Sequence, residues 1–177
     1  MEGTLSGPRR RPAVPPDLAW IAPGFAIGSK PYAHQRDAVV ACGIRSVVTL
    51  EEPGDSEASD WRTRGVCFVA LPTTDWIAIP LARFDAVLAL IVQERAAGNG
   101  VLLHCLAGQN RTPTIAAAVL CHGSGATVEA ALAAIRRVRL ISAPTDEQEK
   151  SLRRWVDLRC RRGISPQAMP PTGRSSC

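Results

Sequence analysis

The sequence predicts a single α/β domain with a central, mostly parallel sheet of four to five strands flanked by helices. Short apolar or β-branched runs alternate along the chain with longer stretches of helical periodicity, which is the order that parallel sheets require. The length of 177 residues suffices for one well-buried core and is too short for two comfortable domains. We therefore expect one folded domain over residues 17–162.

The two ends of the chain differ in composition from this central part. Residues 1–16 are basic and rich in proline, and residues 163–177 are rich in Pro, Gly and Ser, so both are predicted to be disordered. Residues 1–16 have no apolar run of signal-peptide length, and no run of about 18 apolar residues occurs anywhere. Six cysteines without a C-x-x-C spacing are typical of reduced thiols. We expect a cytoplasmic protein.

The first half of the chain reads as three strands and two helices. The β-branched or apolar runs at residues 25–28, 45–50 and 66–71 predict the strands. We expect the first to lie at an edge with Trp20 and Ile21 beneath it, and the third to be buried on both faces because it is continuously apolar. A helix is predicted over residues 34–42, and a short one around Trp61.

The second half begins with a long helix over residues 80–97, whose apolar residues recur on one face. A buried strand follows from residue 101, and a helix rich in alanine runs from residue 113 to 122. Thr127 is a suitable N-cap for a further helix, and residues 146–162 predict the last one.

The stretch from residue 101 to 114 has the layout of an anion-binding cradle, because a loop enters a helix N-terminus directly after a strand. The loop starts at Cys105 and ends at Arg111. A helix N-terminus and a neighbouring guanidinium favour the thiolate form of a cysteine, so Cys105 is a candidate nucleophile. Arg111 offers a planar fork of donors to phosphate oxygens, and Gly108 permits the positive φ of a tight loop.

The pattern His-Cys-x5-Arg-Thr at residues 104–112 resembles the signature of the cysteine-dependent protein phosphatases. The Arg-Thr-Pro-Thr ending is similar to the compact dual-specificity branch, and the resemblance covers residues 18–160. It implies the cysteine-phosphatase fold and a phosphomonoester hydrolase that works through a phosphocysteine intermediate. The loop residues that would bind the phosphate are Leu106, Ala107, Gly108, Gln109, Asn110 and Arg111.

The neighbours of this loop take supporting roles in that mechanism. Thr112 is expected to place its hydroxyl next to the sulfur and to stabilise the thiolate, and His104 to support the loop from behind through hydrogen bonds. Asn110 would brace the loop. Gln148 matches, by its distance after the motif, a glutamine that positions the hydrolytic water in some relatives; a surface helix residue is the alternative.

A leaving alkoxide or phenoxide needs a proton, and Asp75 is our candidate for the general acid. It follows the strand at residues 66–71, at the sheet edge where sites form in α/β proteins, and its spacing from Cys105 is similar to that in the family. A turn-forming aspartate is the alternative role. The rival acids lie on the acidic loop before: Asp55, Glu57 and Asp60. Trp76 would either line the pocket or anchor its loop in the core.

No metal or other cofactor is expected, since the mechanism requires none and no His or Cys cluster has zinc spacing.

The chain is short and in this resembles relatives with shallow pockets, so we expect phosphorylated protein or peptide as the substrate. We also expect a monomer without a membrane partner. Phosphoinositide phosphatases tend to carry Lys in the cradle, and residues 106–110 have none. An RNA 5′-triphosphatase stays open because of Asn110 and the net charge of +5, although a nucleic-acid partner is not favoured. A phosphate-binding module without turnover would lack a nucleophile or an acid, and this chain has candidates for both in Cys105 and Asp75.

Overall fold

The computed structural model describes residues 14–164, so most of the predicted arm and tail lie outside the described residues. The strands in chain order are β1 (Leu18–Ala22), β2 (Phe25–Gly28), β3 (Ile44–Thr49), β4 (Cys67–Ala70) and β5 (Gly100–His104). The helices are α1 (Arg36–Ala41), α2 (Glu57–Arg62), α3 (Leu81–Ala96), α4 (Arg111–Ser124), α5 (Val128–Val138) and α6 (Asp146–Arg161), and a 3-10 turn (Ala33–Gln35) precedes α1.

The five strands form one sheet in the order β1-β2-β5-β3-β4. β5 lies in the middle, where Leu102 pairs in parallel register with Ala26 of β2 and Val47 of β3. β4 continues the parallel arrangement, and only β1 runs antiparallel to its neighbour. The predicted α/β domain with a mostly parallel sheet is therefore confirmed.

The prediction for the first strand was wrong in one respect. The segment around Trp20 and Ile21 is itself a strand, β1, which forms a hairpin with β2 and takes the edge position that was assigned to β2. The hairpin turn uses Pro23 and Gly24, and Gly24 has a φ of 68°. Pro-Gly is a turn signal in the sequence, and it marks the end of a strand on each side.

Two further expectations also need correction. β4 is the other edge strand, with Cys67 exposed and the rest half-buried, because no strand of the described residues pairs with its outer side. Helix α4 begins at Arg111 instead of residue 113. Pro113 is tolerated inside the helix because it lies in the first turn, where the backbone N–H has no intrahelical acceptor.

The core lies on both faces of the sheet, and β5 shows why. Val101 and Leu103 point to the larger cluster, which buries apolar side chains of helices α3 to α6. Leu102, between them, points to the smaller cluster with Val39 of α1 and Trp61 of α2. Since successive side chains alternate between the faces of a strand, a sheet that is covered on both sides requires consecutive apolar residues such as Val101 to Leu103.

Within residues 14–164, no single helix has the length and hydropathy to cross a membrane. Helices α4 and α5 have this length and hydropathy only when they are taken together, and the pair is bent by 119°.

Candidate active site

The candidate active site lies at the carboxyl end of β5, the central strand. The loop of residues 105–110 connects β5 to the N-terminus of α4. The segments that follow β3 and β4 reach the same edge, because these strands are parallel to β5. A ligand in this loop therefore lies at the edge where open α/β sheets bind ligands.

Cys105 is buried at the start of the loop, with 2% of its surface exposed. The backbone N–H of Gly108 donates to Cys105 Sγ at 3.2 Å. Gly108 has a φ of 66°, as the sequence predicted for a tight loop. Asn110 is the N-cap residue of α4, and its carbonyl accepts hydrogen bonds from the backbone N–H and the hydroxyl of Thr114, at 3.2 and 2.7 Å. The sulfur thus faces a loop amide and the N-terminus of a helix.

The guanidinium of Arg111 is buried and fixed by backbone and carboxylate groups. Its Nη1 donates to the carbonyls of Thr73 and Leu50, at 2.9 and 3.3 Å. Its Nη2 forms ion pairs with Asp75 Oδ2 at 2.9 Å and with Glu51 Oε1 at 2.5 Å. Arg111 is therefore held in place by the segments after β3 and β4, with the charge of two carboxylates beside it.

The structure brings Asp75 to the cradle. While Oδ2 contacts Arg111, Oδ1 accepts a hydrogen bond from the backbone N–H of Trp76 at 2.9 Å, and about a third of the side chain (32%) stays exposed. Trp76 has a φ of 65° and is 69% exposed, so it does not anchor its loop in the core. The Thr145 hydroxyl donates to the Trp76 carbonyl at 3.4 Å, which connects this loop to the segment before α6.

The rival acids are occupied elsewhere. Glu57 is buried and forms ion pairs with Lys30 at 2.7 Å and with Arg36 at 3.7 Å. Asp60 binds both Arg64 and Arg36, and these hydrogen bonds, the one from Arg64 first, lower its pKa. Asp55 is exposed on its loop. Among the four candidates, only Asp75 has a contact with Arg111 in the described residues.

His104 is fully buried behind the loop, and its Nδ1 lies 3.1 Å from the carbonyl oxygen of Cys105. Burial is the main reason why its pKa falls from 6.5 to about 4, so the ring is neutral at pH 7. Thr112 is also fully buried, and its hydroxyl makes no hydrogen bond to any described residue. Its role toward the sulfur stays a prediction.

Gln148 lies in the first turn of α6 and is fully buried, so the alternative of a surface residue is wrong. Its Oε1 accepts from the backbone N–H of Thr145 at 3.2 Å, and its own N–H donates to the Thr145 hydroxyl at 3.3 Å, which forms a capping box. The Gln148 Nε2 is buried without a hydrogen-bond partner among residues 14–164. Its role toward water stays a prediction.

Three charged residues at the site were not found from the sequence. Glu51 lies in the segment after β3, just as Asp75 lies in the segment after β4, and that position was the available signal. Arg139 donates to two carbonyls of the loop and to Asp17. No sequence signal separates Arg139 from the exposed Arg136 and Arg137 before it. Over residues 14–164, no group of three or more His, Cys, Asp or Glu side chains is placed to hold a metal ion.

Exposed apolar side chains lie on the segments next to the site, and we call this set the apolar rim. It comprises six of the nine large apolar side chains that are exposed in the described part of the chain: Tyr32, Trp76, Ile77, Leu106, Leu140 and Ile141. The segments that carry them all contact the loop region, for example through the Lys30 N–H, which donates to the Leu106 carbonyl at 2.9 Å. Exposed apolar patches of this kind mark binding surfaces.

Comparisons with known proteins agree with this geometry. Residues 15–169 match the family described as Swiss Army Knife protein, DSP-PTPase phosphatase domain. Phosphatidylglycerophosphatase and protein-tyrosine phosphatase 1 of Mus musculus is 28% identical over 120 residues, which are 64% of this chain and 62% of that protein. Dual specificity phosphatase 28 of Homo sapiens is 25% identical over 134 residues, 74% of this chain and 73% of that protein. The crystal structure of Tk-PTP in the active form has a TM-score of 0.75 at 28% identity and covers 80% of this chain and 97% of its own. The match thus spans less than two thirds of the mouse relative.

Proposed function

The chain belongs to the DSP-PTPase phosphatase domain family, the compact dual-specificity branch of the cysteine-dependent phosphatases, and on that premise we propose that it hydrolyses phosphomonoesters through a phosphocysteine intermediate. The observation that carries the proposal is the convergence of three groups at one sheet edge. Cys105 lies in the loop that leads into the N-terminus of α4, and Arg111 Nη2 and Asp75 Oδ2 lie 2.9 Å apart at the same sheet edge.

In the first step, the Cys105 thiolate attacks phosphorus in line as the bond to the leaving oxygen breaks. Arg111 and the loop amides bind the three equatorial oxygens, and this electrostatic stabilisation is the largest contribution to the rate. Asp75 gives its proton to the leaving oxygen.

In the second step, the ionised Asp75 takes a proton from water, the water oxygen attacks phosphorus, and the bond between sulfur and phosphorus breaks. Inorganic phosphate leaves and the thiolate is restored. Gln148 is our candidate for orienting this water, since its buried Nε2 has a free donor within the described structure. Thr112 stabilises the departing thiolate after a rotation of its hydroxyl toward the sulfur.

For the substrate, we propose phosphotyrosine, phosphoserine or phosphothreonine in proteins or peptides. Family membership and the relatives named as dual-specificity phosphatases support this class. We further propose that the protein acts as a monomer in the cytoplasm. The free thiols of Cys67, Cys105, Cys121 and Cys160 support a reducing compartment.

A second candidate is the phosphomonoester of a lipid headgroup, and the apolar rim is the observation that favours it. Trp and Tyr together with aliphatic side chains are typical of surfaces at a membrane interface. The exposed Arg136, which lies a few residues before Leu140 and Ile141, would add attraction to anionic lipids. The mouse relative is named as both a phosphatidylglycerophosphatase and a protein-tyrosine phosphatase, and this name supports a lipid substrate as the second candidate.

The test is kcat/KM on four substrates: a phosphotyrosine peptide, a phosphothreonine peptide, phosphatidylglycerophosphate in vesicles and 5′-triphosphorylated RNA. Cys105→Ser serves as the blank. We expect turnover of the peptides by the wild type alone. Preference for the vesicles, together with a loss in Leu140→Ser that is larger on vesicles than on p-nitrophenyl phosphate, would favour the lipid candidate. Phosphate binding without any turnover would identify a binding module instead.

A further inference from the structure

The carbonyls of the catalytic loop have a partner that comes from the far end of α5. Arg139 is 5% exposed, and its Nε donates to the Gly108 carbonyl at 2.8 Å while its Nη2 donates to the Ala107 carbonyl at 2.9 Å. One guanidinium thus holds two successive peptide groups of the cradle.

The geometry of the peptide group tells what this contact does. In a planar trans peptide, the C=O of one residue and the N–H of the next point in opposite directions. The Ala107 carbonyl shares its peptide with the Gly108 N–H, and the Gly108 carbonyl shares its peptide with the Gln109 N–H. Arg139 therefore turns both N–H groups away from itself. One of them is seen where this predicts it, since the Gly108 N–H donates to Cys105 Sγ at 3.2 Å.

The backbone at Gly108 packs closely against this partner. A Cβ atom at Gly108 would lie 2.6 Å from Arg139 Nη2 and 2.4 Å from the Gly28 carbonyl oxygen. The guanidinium and the end of β2 thus fill the space behind the loop.

Asp17, just before β1, fixes Arg139 in turn. Its two carboxylate oxygens accept from Arg139 Nη1 and Nη2, each at 2.7 Å. A paired fork of this kind is the strongest geometry between a guanidinium and a carboxylate, and it compensates a buried positive charge. The hydrogen bond from Arg139 is also the main cause of a lowered pKa of Asp17, so the carboxylate is ionised at neutral pH.

We propose that Arg139 is a positioning residue that holds the Gly108 and Gln109 amides toward the bound phosphate, and that Asp17 keeps Arg139 in this position. The proposal rests on the phosphatase function proposed above, because it concerns the same cradle. Its direct consequence is on oxyanion binding, which can be measured without turnover.

The experiment measures the Kd of tungstate, a tetrahedral dianion, by calorimetry in a Cys105→Ser background, and kcat/KM for p-nitrophenyl phosphate with Cys105 intact. Loss of a single oxyanion donor costs about 100-fold to 1,000-fold in rate. We expect Arg139→Ala to weaken tungstate binding and to lower kcat/KM by about 100-fold or more on that basis. Arg139→Lys cannot supply the planar fork, and Asp17→Asn loses one acceptor, so both should show smaller losses of about 10-fold. Arg137→Ala is the matched control, because Arg137 is exposed two residues away.

Thermal unfolding of each variant separates positioning from folding. A variant that melts at a lower temperature but binds tungstate with the parent Kd would overturn the proposal, and so would losses in Arg137→Ala equal to those in Arg139→Ala. If Arg139→Ala does not fold, Arg139→Lys and Asp17→Asn give the same comparison. If the wild type hydrolyses no phosphoester while Arg139→Ala still weakens tungstate binding, the proposed function fails and the role of Arg139 stands.

Discussion

The burial of His104 predicts how the stability of the protein depends on pH. In the folded protein the pKa of His104 is about 4, whereas the ordinary pKa of a histidine is 6.5. Between these two pH values the unfolded chain binds more protons than the folded one, so stability falls as the pH falls. The cause is desolvation of a fully buried ring whose Nε2 has no partner among the described residues.

The magnitude follows from the two pKa values. Each pH unit between them is worth about 1.4 kcal/mol, so protonation of His104 should cost about 3 kcal/mol of unfolding free energy from pH 6.5 to pH 4. This is a large part of the free energy of unfolding of a typical domain, which is about 5–15 kcal/mol. Above pH 6.5 the effect is absent, because the ring is neutral in both states.

The assay is urea unfolding of the wild type and of His104→Gln at a series of pH values from about 7.5 to about 4.5, a range that covers most of the predicted pH dependence. We expect the two curves of stability against pH to converge as the pH falls, since glutamine does not titrate. His34→Gln is the matched control, because His34 is exposed. Parallel curves for the wild type and His104→Gln would refute the argument that burial keeps this ring neutral.

Three further predictions concern residues of the candidate active site. Asp75→Asn should slow the hydrolysis of alkyl phosphates by about 100-fold to 10,000-fold and that of activated aryl phosphates far less, as measured by kcat/KM; equal slowing would remove Asp75 from the acid role. Stoichiometric peroxide should inactivate the enzyme by oxidising the Cys105 thiolate, and a thiol reductant should restore activity; activity that persists would contradict a reactive thiolate. Gly108→Ala should lower stability by about 1–2 kcal/mol or more, because alanine is strained at a φ of 66° and its Cβ would overlap the Gly28 carbonyl; an unchanged melting temperature with unchanged kcat/KM would argue against the packing behind the loop.

The sequence by itself determined the fold class and the central part of the site. The cradle from Cys105 to Arg111 is one contiguous loop between a strand and a helix, so local backbone rules place its thiol, its glycine and its arginine together. Asp75 was within reach of sequence reasoning for a related reason. The carboxyl ends of parallel strands share one edge, and a residue after a strand can be assigned to that edge without knowledge of the strand order.

Residues that act from elsewhere in the chain were decided by the tertiary structure alone. Arg139 reaches a carbonyl 31 residues away and a carboxylate 122 residues away, and its sequence neighbours are equally basic. The edge positions of β1 and β4 likewise depend on the order of strands in the sheet. Periodicity records which face of an element is apolar, but hydrogen bonds between distant segments depend on which ends of those elements meet, and that is fixed only when the whole core packs.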